Sequence, residues 1–207
     1  MRQLMMSALF CCAFAAAPSL AAKKPVSHKP APAQPAAAKP APVKRVVRLS
    51  PKNTKLNFQA YSRLVDADGR FGTFSGTVAM TDNDPSSAAL KVTVKIASLN
   101  TGIDKRDDHL RNPDFFNVKK WPQAVFTSSA VKKVAKDKFQ VKGHLTMMGK
   151  KVPVSFPADI WIAKDGKLRA KADFKMDRRK WGMTGYMSSW GVNPIKASVR
   201  IHFEVKE

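Results

Sequence analysis

Apolar and polar residues alternate with a period of two through most of the chain after residue 55. In residues 90–96, every second side chain is apolar, and Lys91, Thr93 and Lys95 lie between them. Because successive side chains of a strand point to opposite faces, this pattern predicts strands with one buried face. Eight segments have it and are predicted as strands: 56–61, 71–80, 90–96, 124–134, 139–147, 152–162, 168–176 and 195–205.

The number and spacing of these strands predict an all-β fold. One-sided strands that are joined mostly by hairpins form an antiparallel sandwich or a closed barrel. An eight-stranded barrel is just wide enough to be filled by its own side chains or to hold one small ligand. Ala170, Ala172 and Ala197 lie on apolar faces beside large residues, which indicates either a channel or ordinary packing. The pattern leaves both alternatives open.

Residues 101–126 interrupt the strands with a different kind of sequence. The first half is a charged run over residues 104–111 that predicts a short helical excursion between the third and fourth strands. The second half is aromatic and contains Phe115, Phe116, Trp121 and Phe126. These four side chains either cap the core or form the wall of an apolar ligand tunnel.

The charged half of this stretch has two interpretations. Asp107 beside His109 would suit acid–base chemistry. Alternatively, Asp104 caps the helix and the aspartates form salt bridges, which is the interpretation we favour. The cations available for such salt bridges are Lys105, Arg106 and Arg111.

Other signals of catalysis or metal binding are missing from the sequence. No two of its four histidines are spaced to share a metal ion on one element, so no metal site is expected. The sequence contains no phosphate loop, nucleophile elbow or dinucleotide fingerprint. We therefore expect a protein that is not an enzyme.

The N-terminal residues predict export. Residues 1–22 have a positive start, an apolar run and small residues before a cleavage point, as in a secretory signal peptide, with an uncleaved anchor as the alternative. Both cysteines, Cys11 and Cys12, lie in that run. The exported protein would therefore have no thiol and no disulfide, and its expected location is the periplasm.

Residues 23–48 are rich in proline, alanine and lysine and contain no acidic residue. This composition predicts a disordered, extended tether that either contacts an anionic envelope surface or acts as a solvated spacer, with residues 49–207 as the folded domain. The whole chain has a formal charge of +22. Behind a signal peptide the available polyanions are lipid head groups and cell-wall polymers, so nucleic acid is not an expected partner.

With these strands and the central stretch in place, residues 56–205 resemble the YceI-like family of exported polyisoprenoid-binding proteins. The family usually has tyrosine where this chain has Trp121. The motifs that carry the resemblance are residues 72–76 (GTFSG), 101–102 (TG), 106–111 (RDDHLR), 114–116 (DFF), 121–128 (WPQAVFTS) and 143–149 (GHLTMMG).

The resemblance implies an eight-stranded, antiparallel, lipocalin-like barrel with an apolar tunnel for a polyisoprenoid, an isoprenoid quinone or another long-chain lipid. It implies a non-catalytic carrier or storage protein that needs no cofactor. The residues expected in the tunnel wall are Phe58, Phe71, Phe74, Phe115, Phe116, Trp121, Phe126, Leu145, Met147, Phe174 and Trp181. The candidates for the head group are Arg106, His109 and Arg111.

A second function is compatible with the same sequence. The chain would then be an envelope stress or interaction protein that keeps the barrel but fills it with side chains and binds no lipid. The expected partners are an amphiphilic lipid, an anionic envelope surface through the tether, and a second copy of the chain in a homodimer.

Overall fold

A computed structural model describes residues 42–64, 66–185 and 194–207. In these residues, one antiparallel sheet of 11 strands is accompanied by a single α-helix and by two short 3-10 helices. The α-helix is α1 (Asp104–Arg111), and the 3-10 helices are Ile96–Ser98 and Arg178–Trp181. The strands are β1 (Lys44–Leu49), β2 (Thr54–Ser62), β3 (Ala67–Phe71), β4 (Phe74–Thr81), β5 (Asp84–Lys95), β6 (Leu99–Asn100), β7 (Gln123–Ala135), β8 (Lys138–Met147), β9 (Lys150–Ile162), β10 (Leu168–Asp177) and β11 (Ile195–Lys206).

The strand order in the sheet is β1-β4-β5-β7-β8-β9-β10-β11-β2-β3-β6. The strands from β7 to β11 pair with their neighbours in the sequence, and the last strand returns to pair with β2. The predicted all-β antiparallel class is therefore confirmed. Among the described residues, no helix is long and apolar enough to span a membrane.

The predicted number of eight strands is wrong. The three additional strands are β1, β3 and β6, and all of them precede the helix, so α1 lies between β6 and β7. The sequence of β3 contains Asp68-Gly69 and looks like a turn, although it pairs with β2. Strand β6 has only two residues, which is too short for a period of two to show.

The predicted boundary of the tether is also wrong at its C-terminal end. Strand β1 contains five residues that were assigned to the tether, Lys44 to Arg48, and it pairs with β4 along its whole length. Val47 and Leu49 are each only 2% exposed, so burial of these side chains holds the segment in the sheet despite its charge. The remaining tether and the predicted signal peptide lie outside the described residues.

Buried side chains on the inside of the sheet form three groups. We call the end with α1 and Arg178–Trp181 the helical end, and the end with the turns at residues 82–83 and 163–167 the closed end. The closed-end group is Val47, Leu49, Val78, Met80, Val92, Leu168 and Val205. The middle group is Val131, Phe139, Val141, Phe156, Ala158 and Ala172, and the helical-end group is Ile96, Leu99, Ala124, Met147, Trp181 and Met183.

The outer face of β10 and β11 carries an ion pair that should make stability depend on pH. Arg200 donates from Nε and Nη2 to the two carboxylate oxygens of Asp173, at 2.6 Å each. These hydrogen bonds lower the pKa of Asp173 below its ordinary value of 3.8. A depressed carboxylate pKa contributes stability above the ordinary pKa, and that contribution is lost as the pH falls through the folded-state value.

We therefore expect a constant melting temperature from about pH 7 to pH 5 and a decline below about pH 4. The pair is half-exposed, so the contribution of Asp173 is a small part of that decline. Thermal denaturation followed by circular dichroism would measure it, and Asp173→Asn should flatten the acid limb of the curve. An unchanged acid limb in this variant would contradict the assignment.

Candidate functional site

The curved sheet encloses a cavity of about 510 Å³ that its inward-facing side chains line. Its volume lies within the range of roughly 300–1,000 Å³ that is typical of ligand-binding pockets. Strands β2, β3, β5 and β7 to β11 all contribute to the lining, together with α1 and the aromatic segment after it. The lining is apolar except for Ser62, Arg106, His109, Lys171 and Arg178.

Most of the predicted tunnel residues meet in this cavity. Two of the candidates do not line it: Phe74 is buried elsewhere in the core, and Trp121 lies against the turn between β8 and β9. Ala170 and Ala172 line the cavity, whereas Ala197 does not. The candidates that do line it are Phe58, Phe71, Phe115, Phe116, Phe126, Leu145, Met147, Phe174 and Trp181.

A row of three aromatic rings forms part of the cavity wall. The rings of Phe156 and Phe174 stack with centroids 4.2 Å apart, and Phe126 contacts Phe156 at 5.6 Å. Stacked and tilted aromatic pairs stabilise ring positions beyond the effect of burial. Phe156 was absent from the predicted set, although its place in an alternating apolar run was the signal that could have found it.

Partly buried hydrogen bonds attach the helix α1 to the segment before it. Asp107 is 3% exposed, and its carboxylate accepts hydrogen bonds from the backbone N and the hydroxyl of Thr101. Arg106 donates from Nε to Thr101 Oγ1 at 2.8 Å and from Nη2 to the Thr101 carbonyl at 2.9 Å. The predicted cap is wrong, because Ile103 is the N-cap residue, without a side-chain bond, and Asp104 begins the helix.

The three head-group candidates have different positions. Arg106 and His109 line the cavity, whereas Arg111 does not. Arg111 instead donates to the carbonyls of Ala97 and Leu99 and forms the predicted type of salt bridge with Asp108 at 2.9 Å. The side chain of His109 is 40% exposed, so this part of the lining lies near solvent at the helical end.

His109 also contacts the aromatic segment. Its ring meets that of Phe115 edge-on at 5.1 Å, and its Nε2 lies 3.7 Å from a carboxylate oxygen of Asp114. These contacts hold the end of α1 against the segment that follows it. They place His109 in packing as well as in the cavity lining.

Arg178 is a buried cation that the sequence prediction missed. It is 4% exposed and donates four hydrogen bonds to backbone carbonyls, those of Met183, Gly185, Ile195 and Lys196. Burial lowers the pKa of Arg178 from its ordinary value, and the nearby charge of Asp177 opposes that shift. In the sequence it stands in a run of three cations, which resembles a solvated surface segment, so no local signal identifies it.

The described residues contain no cluster of side chains that could bind a metal ion. No set of three or more His, Cys, Asp or Glu side chains is placed to hold a metal ion there. The absence of catalysis stays a prediction.

A family model described as the YceI-like domain matches residues 48–206, which is more than half of the chain. The chain belongs to the YceI-like family. The resemblance that the sequence motifs indicate is thus confirmed.

Two relatives illustrate the extent of the sequence similarity. A UPF0312 protein of Photorhabdus laumondii is 42% identical over 92 residues, which is 44% of this chain and 47% of that protein. Protein YceI of Salmonella newport is 35% identical over 131 residues, which is 60% of this chain and 66% of that protein. The chain therefore spans about half of the first relative and just under two thirds of the second.

Solved structures have the same fold. BcnA of Burkholderia cenocepacia has 25% identity and a TM-score of 0.65, covering 73% of this chain and 94% of BcnA. The YceI protein of Campylobacter jejuni has 29% identity and a TM-score of 0.58, covering 70% and 87% of the two chains. A polyisoprenoid binding domain from Saccharophagus degradans has 14% identity and a TM-score of 0.58 over 78% and 98%, which shows the fold alone.

Within this YceI-like domain, the motif at residues 143–149 allows close packing. A Cβ atom on Gly143 would lie 2.4 Å from the carbonyl oxygen of Thr127, and one on Gly149 would lie 2.5 Å from the ring of Trp121. Gly149 also has a φ of +71°, which side chains disfavour. The motif thus closes the β8–β9 turn onto Trp121.

Proposed function

We propose that this protein binds an amphiphile with a long apolar chain, which occupies the cavity of a lipocalin-like barrel. The observation that carries the proposal is a 510 Å³ cavity with an apolar wall and few charged groups. Its closed end is packed with aliphatic side chains, whereas Arg106 and His109 lie at the helical end. This polarity suits a tail at the closed end and a head at the helical end.

The physical basis for tail binding is simple. Each methylene group that leaves water contributes about 0.8 kcal/mol, so a long chain needs no specific hydrogen bonds. The wall offers aromatic and aliphatic surface from eight strands, including the ring stack of Phe126, Phe156 and Phe174. Such a wall favours length and apolar character over a defined pattern of polar groups.

Arg106 is the best-placed residue for the head group. Its Nε and Nη2 are committed to Thr101, and among the described residues Nη1 has no hydrogen-bond partner. A guanidinium that is already oriented by two hydrogen bonds can meet a phosphate or a quinone oxygen with little loss of side-chain freedom. We infer a head with oxygen acceptors.

The named ligand class of one structural relative agrees with this chemistry. The Saccharophagus degradans domain is described as polyisoprenoid binding, and it shares only its fold with this chain. A polyisoprenoid, an isoprenoid quinone or another long-chain lipid is the class of ligand that we propose here. Periplasmic location, non-catalytic carriage, the tether on an anionic envelope surface and a homodimer remain predictions from the sequence.

Native mass spectrometry tests the proposal. The full chain, expressed with its own N-terminal residues in a Gram-negative host and purified without detergent, is expected to carry about one lipid per protein. Organic extraction would then identify the lipid, and titration with an isoprenoid quinone and an isoprenoid phosphate would load any empty fraction. A protein that is empty after purification and takes up neither compound would overturn the proposal and favour an interaction protein without a lipid.

A further inference from the structure

A cluster of cations and one tryptophan lies on the surface of the helical end, outside the cavity. We call it the lysine–tryptophan patch. Its members come from the segment before β7, the start of β9 and the second 3-10 helix. They are Lys119, Lys120, Trp121, Lys150, Lys151 and Lys180, of which the five lysines are exposed and Trp121 is half-buried.

Contacts join the three segments that carry the patch. The ring of Trp121 lies against Gly149, the residue before Lys150, and Lys120 Nζ lies 5.3 Å from the centre of the same ring. Lys150 Nζ lies 3.1 Å from the position that a Cβ atom on Gly182 would occupy, at the end of the 3-10 helix that contains Lys180. The three segments therefore form one surface around Trp121.

Several cations on the neighbouring outer faces are paired with acids, unlike the lysines of the patch. On β10 and β11, Lys171 and Lys206 meet Glu204, and Arg200 meets Asp173. None of the five patch lysines forms an ion pair with another described residue. The nearby acid Asp177 is already paired with Arg179. The patch is thus an uncompensated positive surface.

We propose that the lysine–tryptophan patch docks the domain onto a membrane surface that contains anionic phospholipids. Lysines close to such a surface are attracted electrostatically, and tryptophan is enriched at the boundary between head groups and acyl chains. Charge complementarity selects the partner, because five unpaired cations beside one aromatic ring match an anionic layer with an apolar boundary. The patch lies at the same end as Arg106 and His109, so docking brings the charged end of the cavity to the membrane.

The inference stands apart from the proposed lipid ligand, because docking needs no occupant in the cavity. Vesicle binding can therefore be measured on protein with or without bound lipid. The outcome of that measurement and the outcome of native mass spectrometry are independent of each other.

The test compares two variants of the full chain in flotation with vesicles of phosphatidylcholine and 30% phosphatidylglycerol. The patch variant is Lys119→Gln, Lys120→Gln, Lys150→Gln and Lys151→Gln. The control variant removes four exposed lysines near the closed end, through Lys52→Gln, Lys133→Gln, Lys136→Gln and Lys164→Gln. Both variants lose the same charge and keep the same N-terminal residues.

Each lysine that reaches the membrane surface contributes about fivefold to affinity. If at least two of the four do so, the patch variant binds about 25-fold more weakly than the wild type, and the control variant binds like the wild type. Equal losses in both variants would show a dependence on net charge and overturn the proposal. So would unchanged binding of the patch variant, a wild type that ignores anionic vesicles, or equal binding to pure phosphatidylcholine vesicles.

Discussion

Replacing Ala172 with phenylalanine is expected to weaken the binding of a long-chain lipid by about tenfold or more and to leave the stability of the protein nearly unchanged. Ala172 is 5% exposed, lines the cavity and faces Phe203 across the β10–β11 pair. A benzyl group at this position enters space that the tail would otherwise occupy. Displacing two methylenes already costs the ligand about 1.6 kcal/mol, which is about tenfold in affinity.

Ala172→Phe should cost less stability than an ordinary small-to-large substitution in a core. A larger side chain in a packed interior costs about 1–3 kcal/mol because neighbours must move. Beside a cavity of about 510 Å³, the new ring has space to enter and gains apolar burial, so fewer neighbouring side chains must move. We therefore expect a change in the unfolding free energy of less than about 1 kcal/mol.

Ala130→Phe is the matched control for this substitution. Ala130 is exposed on β7 and pairs with Lys142, so a ring there points away from the cavity. Both variants are compared by native mass spectrometry and by titration with an isoprenoid quinone. Full lipid occupancy in Ala172→Phe would place the ligand outside this cavity, even if the protein binds lipid.

The regular strands and the helix could be predicted from the local sequence, because the pattern of apolar and polar side chains shows which face of an element is buried. The apolar residues at alternate positions of residues 90–96 belong to β5, whose pairing with β4 and β7 requires one buried face. The charged run at residues 104–111 became α1 with the same bounds. In both cases the pattern lies within one element, so no distant residue is needed to interpret it.

The missed strands are cases in which distant partners override local composition. Strand β1 has three cations in six residues, yet Val47 and Leu49 enter the core that β4 provides. Strand β3 contains Asp68 and Gly69, and the missing side chain of Gly69 makes room for the ring of Phe58. Gly69 is compatible both with a turn and with close packing inside a strand, so the sequence alone could not distinguish the two.

The residues of the candidate site were predicted or missed for the same reasons as the strands. Phe174 was found because the inward face of its predicted strand was known, whereas Phe126 was found as a member of the aromatic run. Trp121 was assigned to the wall but packs on the β8–β9 turn, since its segment has no period that could show direction. Arg178 was missed because its partners are backbone carbonyls, which any sequence supplies.

Arg178→Met is expected to destabilise the domain by about 3 kcal/mol, which lowers the melting temperature by about 6–12 °C. The guanidinium joins residues 183–185 to the start of β11 through four hydrogen bonds, two of them at 2.8 Å. Methionine fills a similar volume but leaves the four carbonyls without these donors. Removing a buried cation also recovers its desolvation cost, which keeps the expected loss below the sum of four charged hydrogen bonds.

Two further variants test whether the loss of stability comes from the four hydrogen bonds of Arg178 and not from the removal of an arginine or of its charge. Arg179→Met removes a neighbouring exposed arginine that is paired with Asp177, and it should unfold almost like the wild type. Arg178→Lys keeps the charge but lacks the planar fork, so it should be nearly as unstable as Arg178→Met. Chemical denaturation with urea measures all three. If Arg178→Met weakened lipid binding while unfolding like the wild type, Arg178 would contact the head group and would not stabilise the helical end.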